Sequence, residues 1–133
     1  VESMIDSVTW ILVRERRLLA VRTKGREKFY LPGGKREPGE SDVECLCREI
    51  HEELGVELRP RSFSLFSVLD ELADGYSDGR RVHMTAYTAG YDGRLRPGRE
   101  IAELAWLTSE DAHRCPPAGR RALGILAGRG EID

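Results

Sequence analysis

Gly34-Lys35-Arg36-Glu37-Pro38-Gly39-Glu40-Ser41-Asp42-Val43-Glu44-Cys45-Leu46-Cys47-Arg48-Glu49-Ile50-His51-Glu52-Glu53-Leu54-Gly55-Val56 contains a loop, a helix start and a helix stop in sequence. Ser41 with Glu44 three residues on is a capping box, in which each residue satisfies an otherwise orphaned amide at the helix start. Val43, Cys47, Ile50 and Leu54 recur at helical spacing, with Leu46 widening the stripe, and Gly55 supplies a left-handed stop. On that helix Glu49, Glu52 and Glu53 are three and four residues apart, which places three carboxylates on one turn. Taken alone, such a trio also describes a solvated acidic face. Clustered like charges become favourable when a hard divalent cation sits among them. Arg48 can brace the trio from its flank. Gly33 and Gly34 allow backbone to approach the same ion or a phosphate closely.

Outward from this helix, Val8 to Val13 and Leu18 to Val21 are β-branched and apolar, and Arg14 to Arg17 between them reads as a hairpin connection. Leu31-Pro32-Gly33-Gly34 is expected to be irregular. Phe63 to Leu72 and Arg81 to Tyr91 read as strands around a Gly/Asp loop at 73–80, and Leu104 with Trp106 marks a further short strand. In the second of these strands, Val82, Met84 and Ala86 share one face and His83, Thr85 and Tyr87 the other. The tail from Ala118 to Ala127 is weakly helical, with Ala122, Leu123 and Leu126 inward. Strands outnumber helices and come as hairpins, which predicts an α+β sandwich in place of a doubly wound sheet.

Composition narrows the function classes. The 133 residues suit a single domain over 1–133, 40% apolar and 33% charged. A formal charge of −2 offers no basic field for nucleic acid or an anionic membrane. No apolar run approaches the ~20 residues of a membrane span. Glu2 and Asp6 interrupt any signal-peptide pattern, and Met4 is the expected natural start. Cys45, Cys47 and Cys115 form no C-x-x-C pair and are odd in number, so they read as structural thiols in a reducing cytoplasm.

The spacing Gly34, five residues, Glu40, seven residues, Arg48-Glu49-Ile50, His51, Glu52-Glu53, Leu54, Gly55-Val56 resembles the Nudix box, G-x5-E-x7-R-E-U-x-E-E-x-G-U, at every fixed position. Leu31 to Gly34 resembles the segment that precedes the box in many members. The resemblance implies a Nudix-type α/β/α sandwich with a mixed β-sheet and a catalytic loop–helix–loop. It implies that Glu49, Glu52 and Glu53, with the Gly34 carbonyl, ligate Mg2+, Mn2+ being a substitute. Glu40, Arg48 and Gly55 then hold the box together. Arg48 also belongs to the expected catalytic set with Glu52, Glu53 and Glu103. Family members differ in which glutamate removes the proton from water, so Glu52 and Glu53 are both candidates. Glu103 matches a further acidic position of several members, with Glu100 nearby.

Activity and substrate follow as expectations. The resemblance implies Mg2+-dependent hydrolysis of a phosphoanhydride in a nucleoside diphosphate derivative, by a monomer or homodimer that binds a small nucleotide and no nucleic acid or membrane. Arg22 matches an arginine that touches substrate in MutT-like members. Phe29 and Tyr30 either stack on a base or belong to the core. Tyr87, with Gly33 and Gly34, is expected beside the substrate, whereas His83 reads as a surface residue. The signatures of the ADP-ribose, dinucleoside polyphosphate and coenzyme A branches are not reproduced. A nucleoside triphosphate pyrophosphohydrolase releasing monophosphate and pyrophosphate is therefore favoured. A non-hydrolysing nucleotide sensor, or a hydrolase of nucleotide sugars or ADP-ribose, is the rival reading. Cys115-Pro116-Pro117-Ala118-Gly119 resembles a loop in which mutator-type members carry asparagine, whose amide reads an oxidised purine. Gly119 has no such group, which predicts modest discrimination for 8-oxo-dGTP.

Overall fold

A computed structural model describes residues 4–74, 76 and 78–133, so Gly75 and Ser77 of the expected 73–80 loop lie outside the described residues. The chain runs β1 (Met4–Ile11), β2 (Val13–Arg14), β3 (Arg17–Thr23), β4 (Gly33–Lys35), α1 (Asp42–Leu54), β5 (Glu57–Leu58), β6 (Ser64–Leu72), β7 (Arg81–Thr88), β8 (Tyr91–Asp92), β9 (Ile101–Leu107) and α2 (Pro117–Gly128). One sheet has the order β4-β1-β7-β6, with β1 and β7 parallel and the other pairs antiparallel. A second, antiparallel sheet is β2-β3-β9, and β5 pairs with β8. This mixed α+β arrangement is the expected fold class.

Alternation along the strands divides the interior in two. Val8 and Trp10 of β1, with Leu19 and Val21 of β3, pack against Leu46, Ile50 and Leu54 of α1. Ile11, Leu69 of β6 and Ala86 of β7 pack against Ala122, Leu123 and Leu126 of α2. The sheet is thus covered by a helix on each face, and the inward side of α2 is the one expected. Burying each Leu or Ile of α1 contributes about 1.5–3 kcal/mol. That far outweighs the few tenths of a kcal/mol that a pair of like charges costs on a helix. Packing, and not charge pairing, therefore holds the acidic helix in place.

Local structure departs from the sequence reading at four points. The first strand begins at Met4 and, beyond Leu12, only Val13 and Arg14 pair with β3, across a two-residue turn at Glu15 and Arg16 with φ 51° and 63°. Positive φ at both turn positions gives the twist a two-residue hairpin needs. Gly33–Lys35 is not irregular but a short strand, with Thr9 opposite Gly33. The buried stripe of α1 is centred on Cys45, Leu46, Ile50 and Leu54, while Val43 and Cys47 are only half-buried. Finally, β7 ends at Thr88 and Tyr91 pairs instead with Leu58.

Candidate active site

Three rows of side chains at i, i+4 spacing divide the surface of α1. Leu46, Ile50 and Leu54 form the core row. Cys45, Glu49 and Glu53 form a second row that faces β4. The Cys45 thiol lies 3.8 Å from the Gly34 carbonyl, and the Gly33 amide donates to Glu53 Oε1 at 3.2 Å. Arg48 and Glu52 make the third row, one turn of flank away. The capping box that starts the helix is present in both directions, Glu44 N to Ser41 Oγ at 3.1 Å and Ser41 N to Glu44 Oε1 at 2.9 Å. Gly55 closes it with φ 72°.

The two glycines before the helix are required by contact. A Cβ on Gly34 would stand 2.4 Å from the carboxyl carbon of Glu49, and one on Gly33 would stand 2.1 Å from the Val8 carbonyl oxygen. Gly33 also has φ 143°, which side chains rarely adopt. The absence of both side chains lets backbone and carboxylates share one small volume.

Arg48 is the hub of the flank. It grips Glu40 bidentately at 2.6 and 2.9 Å and donates to Glu49 at 3.0 Å and Glu52 at 3.3 Å. The guanidinium and the Glu37 amide hold the Glu40 carboxyl down to about 2. Arg99, at φ 54°, donates to Glu52 at 2.7 Å. Among the described residues no cation pairs with Glu53 in this way. Its residue is 8% exposed, and burial, then the charges of Glu49 and Glu100, push its carboxyl up to about 8 against the lowering effect of the Gly33 amide.

Among the described residues no three acidic, His or Cys side chains already form a metal cage, because Arg48 and Arg99 draw Glu52 to the flank. The donor set nevertheless fits a hard divalent cation. Glu49 and Glu53 place two carboxylates beside the Gly33-Gly34 backbone, and buried carboxylates that repel one another are stabilised by such an ion. Glu49 and Glu53 would hold it, joined by Glu52 if the arginines yield.

Beside this cluster lies a cavity of about 410 Å³, whose lining includes Glu53, Gly33, Gly34, Tyr30 and Gly119. Tyr30 donates to Asp74 and is pushed up to about 12 by burial and then by that carboxylate, whereas Phe29 is core. Of the residues expected beside the substrate or as the further acid, Tyr87, Arg22 and Glu103 do not line the cavity, and each placement has a local cause. Tyr87 lies on the opposite face of β7, packed on Phe63 and donating to Asp42 of α1. Arg22 alternates with Val21 and Thr23, which do line the cavity, and points to the other side. There it pairs with Glu103 at 2.7 Å. Glu103 shares the face of Arg22 because the regular register sets the two opposite each other; beyond them a β-bulge leaves Ala102 as the extra residue and puts Ile101 opposite Thr23. Glu100, the acid near Glu103 in the sequence, is the one of the two whose charge adds to the raising of the Glu53 carboxyl. The sequence reading named Glu100 only as a neighbour of Glu103, because the resemblance was carried by Glu103. His83 pairs with Asp70 at the surface, as expected.

A family profile described as the NUDIX domain matches residues 4–126. The chain is 30% identical over 120 residues to the CTP pyrophosphohydrolase of Escherichia coli K12, covering 86% of this chain and 84% of that one. It is 32% identical over 90 residues to the nucleoside triphosphatase NudI of E. coli O17:K52:H18, over 63% of this chain and only 64% of that protein's length. Among solved structures, the MutT NUDIX hydrolase from Burkholderia pseudomallei superposes with TM-score 0.75 and 29% identity, over 92% of this chain and 98% of that one. The E. coli ORF135 protein does so with TM-score 0.74 and 26% identity, over 96% and 92%. The chain belongs to the Nudix family. It is a Nudix hydrolase, and the sequence expectation of family, fold and enzyme class holds. Among the described residues no helix is long and apolar enough to cross a membrane.

Proposed function

We propose that this chain is a Mg2+-dependent nucleoside triphosphate pyrophosphohydrolase, releasing nucleoside monophosphate and pyrophosphate. The observation that carries the reading is the Glu49–Glu53 pair, set against Gly33 and Gly34 at the edge of the cavity. The names of the relatives, a CTP pyrophosphohydrolase and a nucleoside triphosphatase, support the same substrate class. Bound Mg2+, or Mn2+ in its place, supplies charge neutralisation of phosphate oxygens and acidifies water.

The residues of the chain do the rest. Arg48 orients Glu49 and Glu40 fixes Arg48, so the Glu49 carboxylate keeps its place beside Gly34 when phosphates arrive. A water oxygen bonds to one phosphorus as the bridging P–O bond breaks, and the bond electrons leave with the departing phosphate oxygen. Glu52 or Glu53 takes the proton from that water. The half-apolar cavity holds the nucleoside end and excludes competing solvent.

The experiment is incubation of the protein with Mg2+ and a pool of nucleoside triphosphates in isotopic water. Expected are pyrophosphate, a monophosphate, heavy oxygen in one product and full inhibition by chelation. Tight binding without hydrolysis of triphosphates, nucleotide sugars or ADP-ribose would establish a sensor in its place.

A further inference from the structure

Arg99 has a backbone conformation that its side chain does not favour. Among the described residues only Glu15, Arg16 and Arg99 combine a side chain with positive φ, and the first two form the hairpin turn after β2. At φ 54°, glycine or asparagine would fit this place more cheaply than arginine. The loop around it is fastened by backbone groups, which need no side chain at this position. The Arg96 amide donates to the Leu54 carbonyl at 3.0 Å, that of Gly98 to the Glu53 carbonyl at 2.8 Å and that of Lys24 to the Glu100 carbonyl at 2.8 Å. What arginine adds is a half-exposed guanidinium, 2.7 Å from Glu52, 3.8 Å from Glu100 and 4.0 Å from Glu49. Ion pairs so exposed stabilise a fold only weakly. The guanidinium is therefore better explained by the chemistry of the site than by the fold.

Two of those carboxylates, Glu49 and Glu52, belong to the set that would hold a divalent cation. Like charges repel, so a cation among them releases the guanidinium. Arg48 is held by its bidentate grip on Glu40, whereas the hydrogen bond of the Arg99 guanidinium goes to Glu52 itself. The backbone fastenings keep Arg99 at the cluster while its side chain turns. Position then decides which anion it meets. Of Glu49, Glu52 and Glu53, only Glu53 lines the cavity, and Glu52 with Arg99 stands on the flank. A nucleotide with its nucleoside in the cavity has its first phosphate toward Glu53 and its distal phosphates toward Arg99. We infer that Arg99 is a specificity-determining residue that exchanges Glu52 for the distal phosphates of the substrate, a proposal that rests on the metal-dependent nucleotide-hydrolysing reading above. It favours a nucleoside triphosphate over a monophosphate. A guanidinium suits this exchange because its planar fork fits carboxylate and phosphate oxygens alike.

The test uses the full chain and three variants, Arg99→Ala, Arg99→Lys and Arg99→Gly. Calorimetry with Mg2+ compares CMP with the α,β-methylene analogue of CTP, which cannot be cleaved at that bridge, and a separate titration uses Mg2+ alone. Arg99→Ala is expected to weaken the triphosphate analogue about tenfold, with CMP changed less than about twofold. Arg99→Lys keeps the charge without the fork and falls between Arg99→Ala and the parent. Mg2+ alone is expected to bind Arg99→Ala severalfold more tightly, because Glu52 has lost its competing partner. A merely structural arginine would not move the two affinities in opposite directions. Arg99→Gly suits the left-handed backbone and is expected to repeat both shifts, which separates loss of the guanidinium from damage to the loop. Unchanged affinity for the analogue, an equal loss for CMP, Mg2+ bound no more tightly by Arg99→Ala, or no analogue binding by the parent would each overturn the inference. Hydrolysis of triphosphates by the parent with any of those results overturns this inference alone. The expected pair of shifts with no hydrolysis overturns the pyrophosphohydrolase reading and leaves Arg99 as a reader of distal phosphates.

Discussion

Arg99 donates from Nη1 to Glu52 Oε1 at 2.7 Å and stands 4.0 Å from Glu49, so a guanidinium occupies the flank where a cation would draw Glu52 inward. Side chain and metal therefore compete for one carboxylate. Arg99→Ala is expected to lower, severalfold, the Mg2+ concentration that gives half-maximal thermal stabilisation. A melting series across Mg2+ concentrations checks it, and an unchanged midpoint would show that Glu52 is not a ligand.

Glu53 gives a pH dependence whose sign is fixed by its environment. Its carboxyl is raised from 4.5 to about 8 in the folded chain, so the metal-free fold binds that proton more tightly than the unfolded chain does. The corresponding stability is fully present below 4.5 and is lost as pH rises through about 8. Melting of chelated protein is expected to fall across this window, and Mg2+ to restore it. Glu53→Gln flattens the profile and lowers turnover on the order of a hundredfold. A variant that keeps the parent's slope would place the titration elsewhere. Glu52→Gln is expected to lose turnover to a similar extent without altering that slope.

Gly34→Ala puts a methyl 2.4 Å from the Glu49 carboxyl carbon. The carboxylate must move, so hydrolysis is expected to drop by more than tenfold while the core packing persists. Gly124→Ala, in open space on the outer side of α2, is the control and is expected to stabilise by about 0.5–1 kcal/mol. Paired melting and kcat measurements separate the two, and full activity in Gly34→Ala would refute the close-approach account.

The Glu40–Arg48 clamp responds to acid. With Glu40 held down to about 2 from 4.5, its contribution is complete above 4.5 and disappears as pH falls through about 2. Hydrogen exchange at 35–40 is expected to accelerate over that interval in the parent. In Glu40→Gln the same segment exchanges fast even at neutral pH. Arg48→Lys keeps the charge but loses the bidentate grip and behaves like Glu40→Gln.

Gly119 lies in the first turn of α2 and lines the cavity, with a notional Cβ 3.1 Å from Cys115 Cβ. Its backbone is in an ordinary region, so a side chain fits once Cys115 gives a few tenths of an ångström. Gly119→Asn is expected to raise the preference for 8-oxo-dGTP over dGTP by about ten- to a hundredfold, the value of one or two new hydrogen bonds. The measurement is kcat/KM for 8-oxo-dGTP, dGTP and dCTP on both proteins.

The box helix was legible because its information is local: a capping pair, a glycine stop and a carboxylate spacing all lie within one stretch of chain. The strands that alternate cleanly, such as β7, were legible for the same reason. What the sequence concealed depends on distant partners. Parallel pairing of Met4–Ile11 with Arg81–Thr88 has no local mark. Tyr87 is expected at the cleft with its face-mate His83, although the alternation puts that face opposite Val82 and Met84, which line the cavity. Arg22 was drawn in by family resemblance, although Val21 and Thr23 beside it are the inward residues.

The bulge at Ala102 acts as a parity switch. The regular ladder sets Glu103 opposite Arg22, and the extra residue puts Ile101, in place of Ala102, opposite Thr23. Closing the bulge with the sequence unchanged would put Ala102 opposite Thr23 and turn Ile101 to the other face, while Glu103 would keep its place opposite Arg22. Which side chains before Glu103 face the side of Val21 and Thr23 is therefore set by the count of residues as much as by their identity. Two relatives that differ by one residue here can present different glutamates to the same phosphate while their aligned letters look alike.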